Sequence, residues 1–330
     1  MKKLLSFLKW SAVTVLFLII VFIVYALLKP ESIYDSPYPE ISASKDSTVI
    51  ARGKYLVYGP AHCAYCHAPT NDFKKIEAGE IVPLSGGAVF ALPIGNVYVP
   101  NITSDKTTGI GSFTDGEIAR VLRYGVKKDG TALLDFMPFY DLSDEDLTAI
   151  VSYLRTEPAI NNSVPKNDWN FLGKIVLALG MVKPMGDGIV PPAPECDSTA
   201  EYGKYLAGSV ANCRGCHTKR DLKDGSYIGI DYAGDMQFEV LNENGHIIPG
   251  KHLVSPNLTP DKLTGRIASW TQDTFVKRFQ AGRVIDGSPM PWGAFSRLSE
   301  TDLKAIYKYL MTLNPVRSQT PAGVLGGDPE

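Results

Sequence analysis

Two short stretches concentrate residues able to do chemistry: Cys63-Ala64-Tyr65-Cys66-His67 and Cys213-Arg214-Gly215-Cys216-His217. In each, two cysteines are separated by two residues and a histidine follows at once. This is the spacing of covalent c-type haem attachment. A short helical turn presents both sulfurs to one porphyrin edge, where each thiolate adds to a vinyl group. The next residue then places its imidazole under the iron. The sequence therefore predicts two covalently bound haem c groups, held by Cys63 and Cys66 and by Cys213 and Cys216. His67 and His217 are the expected axial iron ligands.

A haem iron held by one histidine needs a sixth ligand or stays open. Met137 lies 74 residues after Cys63 and Met290 lies 77 after Cys213; each is followed by proline and precedes a short segment leading to a last helix. A thioether is soft and neutral, so Met/His ligation raises the potential and suits electron transfer. Met137 and Met290 are thus the expected sixth ligands, and Met181, Met185, Met236 and Met311 read as packing residues. His62, His246 and His252 have no counterparts at matching places and read as surface or structural, with a bis-His haem through one of them left open. The carbonyl of Pro69 is an expected acceptor for the His67 Nδ1 proton. Lys219 stands at the equivalent place, so the two histidines are expected to be held unequally.

Two Cys-x-x-Cys pairs can also hold zinc. Here the pairs are 147 residues apart, far outside finger spacing, and each has its own histidine. The fifth cysteine, Cys196, is left over and reads as a thiol in a linker. With 33 Lys+Arg against 35 Asp+Glu in 330 residues, nothing argues for nucleic acid, and the length suits two domains.

Lys2, Lys3 and Lys9 precede an uncharged run from Trp10 to Leu28. At 1.5 Å per residue this run spans about 28 Å, close to a bilayer core. The lysines predict a cytoplasmic amino end over residues 1–9, with 10–28 as a transmembrane anchor. The competing reading is a cleaved signal peptide, which no small-x-small site supports. Residues 29–47 are rich in Pro, Ser and acidic residues and read as a tether. The remainder of the chain is expected on the exported side, where this kind of haem attachment also takes place.

Everything after the tether reads as one domain written twice, over residues 48–160 and 195–316, with a linker at 161–194 and a tail at 317–330. Gly53-Lys54-Tyr55-Leu56 matches Gly203-Lys204-Tyr205-Leu206 at an offset of 150, and Leu142-Ser143 matches Leu298-Ser299 at 156. In each copy a first helix runs into the haem motif, and Gly53 or Gly203 would let another helix cross closely. Ser143 and Ser299 are expected caps of that partner, whose Leu147, Ile150, Val151 and Leu154, or Leu303, Ile306, Tyr307 and Leu310, share one face. Thr114 with Glu117 predicts a capping box for a middle helix; Thr271 has only Thr274. Strand signals are weak, so the expected class is all-α: two tandem cytochrome c-like domains after a transmembrane helix. Phe171–Val182 is apolar but too short to span a bilayer. It reads as a helix packed between the domains, with a membrane-surface helix as the alternative. Pro191-Pro192-Ala193-Pro194 marks the start of the second copy.

With these motifs in hand, the sequence resembles class I c-type cytochromes. More closely, it is similar to the cytochrome subunits of membrane-bound alcohol, aldehyde and gluconate dehydrogenases. The likeness rests on Pro100-Asn101-Ile102-Thr103, Thr108-Gly109-Ile110-Gly111, Leu122-Arg123-Tyr124-Gly125-Val126 and Phe136-Met137-Pro138-Phe139, with Asn257-Leu258-Thr259, Leu263-Thr264-Gly265 and Pro289-Met290-Pro291 in the second copy. Those subunits usually carry three such haem motifs, whereas this chain has two. The resemblance implies an electron-transfer protein on the inner membrane, its haem domains periplasmic. A dehydrogenase subunit would be the donor, and an oxidase, quinone-linked complex or soluble cytochrome the acceptor. The alternative is a dihaem peroxidase, which needs one labile ligand and acid–base groups beside it. Nothing in either copy marks such a pair.

Overall fold

The uncharged amino-terminal run forms helix α1 (Lys2–Leu28), long and apolar enough to cross a membrane and exposed along nearly its whole length. The helix starts ahead of the apolar run itself, because exposed lysine side chains do not interrupt backbone hydrogen bonding. The structure, a computed structural model, describes residues 2–193, 195–221 and 225–326. Met1, Pro194 of the proline run and residues 327–330 of the tail lie outside the described residues.

The first copy contains α2 (Ser47–Tyr58), the turn α3 (Ala64–His67), α4 (Phe73–Glu77), strands β1 (Val89–Leu92) and β2 (Gly95–Tyr98), then α5 (Asp115–Tyr124) and α6 (Asp144–Leu154). Strand β3 (Asp168–Trp169) and helix α7 (Phe171–Ala178) follow. The second copy follows a similar order as α8 (Ala200–Tyr205), α9 (Cys213–His217), β4 (Gln237–Leu241), β5 (Ile247–Val254), α10 (Gln272–Gln280), α11 (Trp292–Phe295) and α12 (Glu300–Thr312), with α11 added and, among the described residues, no counterpart of α4. Helix α8 runs on through a π turn at Leu206–Val210.

The central packing is the crossing of α2 on α6 and of α8 on α12. A Cβ on Gly53 would overlap the carbonyl oxygen of Ala149, and one on Gly203 that of Ala305, so only glycine lets these backbones touch. The caps stand where expected. Ser143 accepts from Asp146 N and Ser299 from Asp302 N, while Thr114 and Glu117 complete a capping box. Thr271 accepts from Thr274 N, the half-box its sequence allows. Leu56, Leu147 and Ile150 join Leu206, Leu303 and Ile306 in one buried cluster that includes both copies.

The all-α expectation is corrected by two sheets. Strands β1, β2 and β3 form an antiparallel sheet in that order, with Val89 opposite Tyr98 and Gly95 opposite Trp169. Strands β4 and β5 pair antiparallel, with an irregularity between Glu239 and Val240. Most are too short for alternation to show in the sequence. Strands β1, β2, β4 and β5 form because the long loop between the cysteine-histidine motif and the middle helix must pair its backbone groups, and β3, after α6, adds to the first sheet.

Two segments differ from expectation. The 29–47 stretch runs along the first copy: Tyr34 N donates to Gly130 O at 2.9 Å, Ala43 N to Asp115 Oδ2 at 2.7 Å, and Ile41 is buried in the core. Helix α7 packs on α1 and not between the copies, and Lys29 Nζ donates to Ala178 O at 2.7 Å.

Candidate haem-binding sites

Each cysteine-histidine motif begins after a residue in the left-handed region, His62 at φ 41° and Asn212 at φ 49°. That reversal lets the chain leave α2, or the end of α8, and re-enter a helical turn at once. Cys63 lies at the start of the α3 turn, with Cys66 and His67 on it, and Cys213, Cys216 and His217 lie on α9. In the second copy Asn212 also caps the turn, its Oδ1 accepting from Gly215 N at 3.2 Å.

Both histidines are buried and held at two points. The carbonyl of His67 accepts from Gly86 N at 2.7 Å, and that of His217 from Gly234 N at 2.8 Å. The ring Nδ1 of His67 lies 2.9 Å from Pro100 O, and that of His217 lies 3.0 Å from Pro256 O. Nδ1–H donates to these carbonyls, which leaves Nε2 with its lone pair bare, the tautomer a metal requires. Burial pushes both imidazoles below their ordinary pKa, against the opposing pull of the proline carbonyls, so both rings are uncharged at neutral pH. The expected partner Pro69 is therefore corrected to Pro100, and the expected inequality at Lys219 disappears. The prolines that serve are matched in the repeat, each contributed by a loop distant in sequence.

The Pro-Asn-x-Thr motif explains how that carbonyl is placed. Asn101 Oδ1 accepts from Thr103 N at 2.9 Å and from Thr103 Oγ1 at 2.7 Å, while its Nδ2 donates to Ile160 O at 2.7 Å. Asn257 repeats this with Thr259 and with Val316 O at 2.8 Å. Both asparagines are buried and tie the proline loop to the segment after the closing helix. Gly86 and Gly234, at φ 73° and 75°, lie so close to Pro100 and to Ser255–Pro256 that a Cβ would overlap the backbone there.

The four motif cysteines form no disulfide. Burial pushes the Cys63 and Cys213 thiols up to about 12 and that of Cys66 up to about 11. Among the described residues, no three His, Cys, Asp or Glu side chains gather as a metal cage, so the two cysteine pairs are not brought to one zinc site. Cys196 is exposed.

Met137 and Met290 are both half-buried against the core, each on a tight turn. Phe139 N donates to Met137 O at 2.9 Å, and Trp292 N to Met290 O at 2.8 Å. The chain beyond Met137 is fixed by buried Arg123, which donates to Tyr140 O at 2.9 Å, to Leu142 O and to Asp144 Oδ1 at 2.7 Å. Two thiols on one turn, an imidazole with Nε2 bare and a thioether on the same core fit a covalently attached haem.

Sequence reasoning missed how each methionine segment is engaged by the other copy. Tyr65, between the first two cysteines, donates to Glu77, and its oxygen accepts from Gly293 N at 2.8 Å, three residues after Met290. Glu77 pairs with Arg283 at 2.5 Å. In the mirrored place, Arg220 pairs with Asp135, two residues before Met137. His62 stands edge-on to Phe139 and Phe295, with ring centroids 6.4 and 5.6 Å away. The sequence signal available was the absence of periodicity in these polar residues, which does not reveal partners.

No family model matches the chain. It is similar to the gluconate 2-dehydrogenase cytochrome c subunit of Pantoea cypripedii, at 29% identity over 81% of this chain and 60% of that protein. It is similar to the fructose dehydrogenase cytochrome subunit of Gluconobacter japonicus, at 28% identity over 89% of this chain and 58% of the relative. A diheme cytochrome c-type protein of Cereibacter sphaeroides is 27% identical over 79% of this chain and 84% of its own length. The chain thus spans about three fifths of the first two relatives, and the resemblance read from its motifs holds.

Proposed function

We propose that this chain is a membrane-anchored dihaem cytochrome c that carries electrons, received from a dehydrogenase and passed to a respiratory acceptor. Cys63 and Cys66, and Cys213 and Cys216, form the thioether attachments; His67 and Met137, and His217 and Met290, are the axial iron ligands. The observation that carries the reading is the matched hold on the two imidazoles by Pro100 and Pro256, which leaves the same ring nitrogen of each free to bind iron. When bound, haem supplies an iron that takes up and releases one electron.

The chain's own residues supply the rest. Neutral imidazole and thioether ligands leave the iron charge uncompensated, and a buried setting then favours the reduced form. Rigid attachment at the histidine carbonyl, the ring and the asparagine latch keeps both oxidation states in one geometry. The sequence repeat and the two-haem name of one relative support a count of two. The dehydrogenase names of two others support a dehydrogenase donor, and helix α1 supports an inner-membrane anchor with the haem domains periplasmic. The acceptor belongs to the class of oxidase, quinone-linked complex or soluble cytochrome.

The test is the purified chain from cells able to attach haem, denatured and extracted with acidified solvent. Porphyrin colour should remain with the polypeptide, at two haems per chain by reduced pyridine spectra. A colourless chain overturns the cofactor, and one haem per chain overturns the count. Affinity capture from solubilised membranes should then co-purify a dehydrogenase subunit.

A further inference from the structure

Helix α7 and the residues just past its end present an apolar face that the candidate haem sites do not use. Phe171, Leu172, Leu179 and Met181 are 50–55% exposed within eleven residues of chain. The helix is nonetheless firmly docked. Asn170 caps it, its Oδ1 accepting from Gly173 N at 3.0 Å, and Asn170 Nδ2 donates to Pro93 O at 2.8 Å. Gly173 lies against Ile94 so closely that a Cβ would overlap its carbonyl oxygen. A helix pinned this way cannot turn its apolar side inward.

Its neighbours say what covers that side. Helix α7 packs on α1, and hydrogen bonds tie it and its flanks to the segment that follows α1, where the chain leaves the apolar span. Lys29 Nζ donates to Ala178 O at 2.7 Å, Tyr34 Oη to Val182 O at 2.8 Å, and Trp169 Nε1 to Glu31 Oε1 at 3.2 Å. The exposed apolar face therefore sits where the membrane surface must be if α1 spans. Lys174 and Lys183 are exposed beside it, the cation placement that meets anionic headgroups.

We infer that α7 is a membrane-surface helix whose Phe171 and Leu172, with Leu179 and Met181 just past its end, enter the headgroup–acyl boundary of the bilayer that α1 crosses. The inference rests on the anchor reading. It adds that the first copy is held against the membrane in one fixed orientation, through α7 and the β1–β2 turn.

Site-directed spin labelling of the full haem-loaded chain tests this, in the reduced state and in vesicles of phosphatidylcholine and phosphatidylglycerol. In a Cys196→Ser background, labels are placed one at a time at Leu172→Cys, Leu179→Cys and, within α1, Leu16→Cys. The label at 16 should collide with oxygen and not with a water-soluble nickel chelate. Those at 172 and 179 should also favour oxygen, at shallower depth, while a label at exposed Ile228→Cys favours nickel. Labels at 172 and 179 open to nickel while that at 16 stays in lipid would overturn the inference and leave the anchor standing. All three open to nickel would overturn both. Labels at 172 and 179 shielded from both reagents would mean a protein partner covers α7, and the inference falls.

Discussion

The hydroxyl of Tyr205 donates to Asp146 Oδ2 at 2.8 Å, across the boundary between the two copies. Its counterpart in the repeat, Tyr55, donates to Asp302 in the same way. Each hydroxyl oxygen also accepts a backbone N–H from the other copy's cap residue, Ser143 N at 3.2 Å and Ser299 N at 3.0 Å. The first helix of each copy thereby finishes the capping of the other's closing helix. Both aspartates are buried, and burial of the phenols, with the nearby carboxylates, pushes both tyrosines up, so they stay donors.

The two contacts are not equal in their surroundings. Asp146 also takes a bidentate pair from Arg52, at 2.8 and 2.9 Å, whereas the place of Arg52 in the second copy is held by Tyr202. Tyr55→Phe should therefore destabilise more than Tyr205→Phe. Leaving Asp302 without its side-chain partner costs about 1–3 kcal/mol, against the lower end of that range for Asp146. Denaturant midpoints of the two variants check the order.

Gly53→Ala and Gly203→Ala each force a Cβ into a carbonyl of the closing helix. Overpacking of this kind costs about 1–3 kcal/mol, and backbone contacts that cannot yield lie at the upper end. Both variants should show lowered thermal midpoints and lower haem-loaded yield, equally in the two copies.

Asn101→Ala removes the latch that positions the Pro100 carbonyl. Its buried partners lose a donor and an acceptor, which costs about 1–3 kcal/mol. A redox titration should show one of two potentials displaced, and Asn257→Ala should displace the other. A single variant that moves both equally would argue for a general loosening.

Met137→Ala should open one iron to carbon monoxide and lower its potential, leaving the other nearly unchanged; Met290→Ala should do the converse. Difference spectra of the reduced protein with carbon monoxide read this directly. An unaltered spectrum in either variant removes that methionine as a ligand.

Burial holds the His62 imidazole below its ordinary value of 6.5. The unfolded chain then binds this proton more readily than the folded one. Stability is fully present above 6.5 and is lost as pH falls from there toward the folded value. Asn212 shows that asparagine tolerates the same left-handed backbone. His62→Asn should thus fold and show a smaller loss of thermal midpoint as pH drops below 6.5 than the parent chain.

What could be read along the chain was whatever depends on near neighbours. The haem motifs carry their chemistry within five residues, and the Thr114–Glu117 box and the Ser143 and Ser299 caps act across three. Gly53 and Gly203 were legible because the repeat shows the same small residue facing the same helix. The short strands were not, since four residues of alternation are indistinguishable from loop.

Reading along the chain was enough for the two cysteine-histidine motifs, the apolar span and the helices that build each copy, because spacing and periodicity are properties of contiguous chain. Only the tertiary structure decided that Pro100 and Pro256 orient the histidines, that Tyr55 and Tyr205 cross to the opposite copy, and that α7 leans on α1. Each of these joins residues 33 or more positions apart. A carbonyl, a hydroxyl or a helix face has no partner until folding brings one within hydrogen-bond or van der Waals reach.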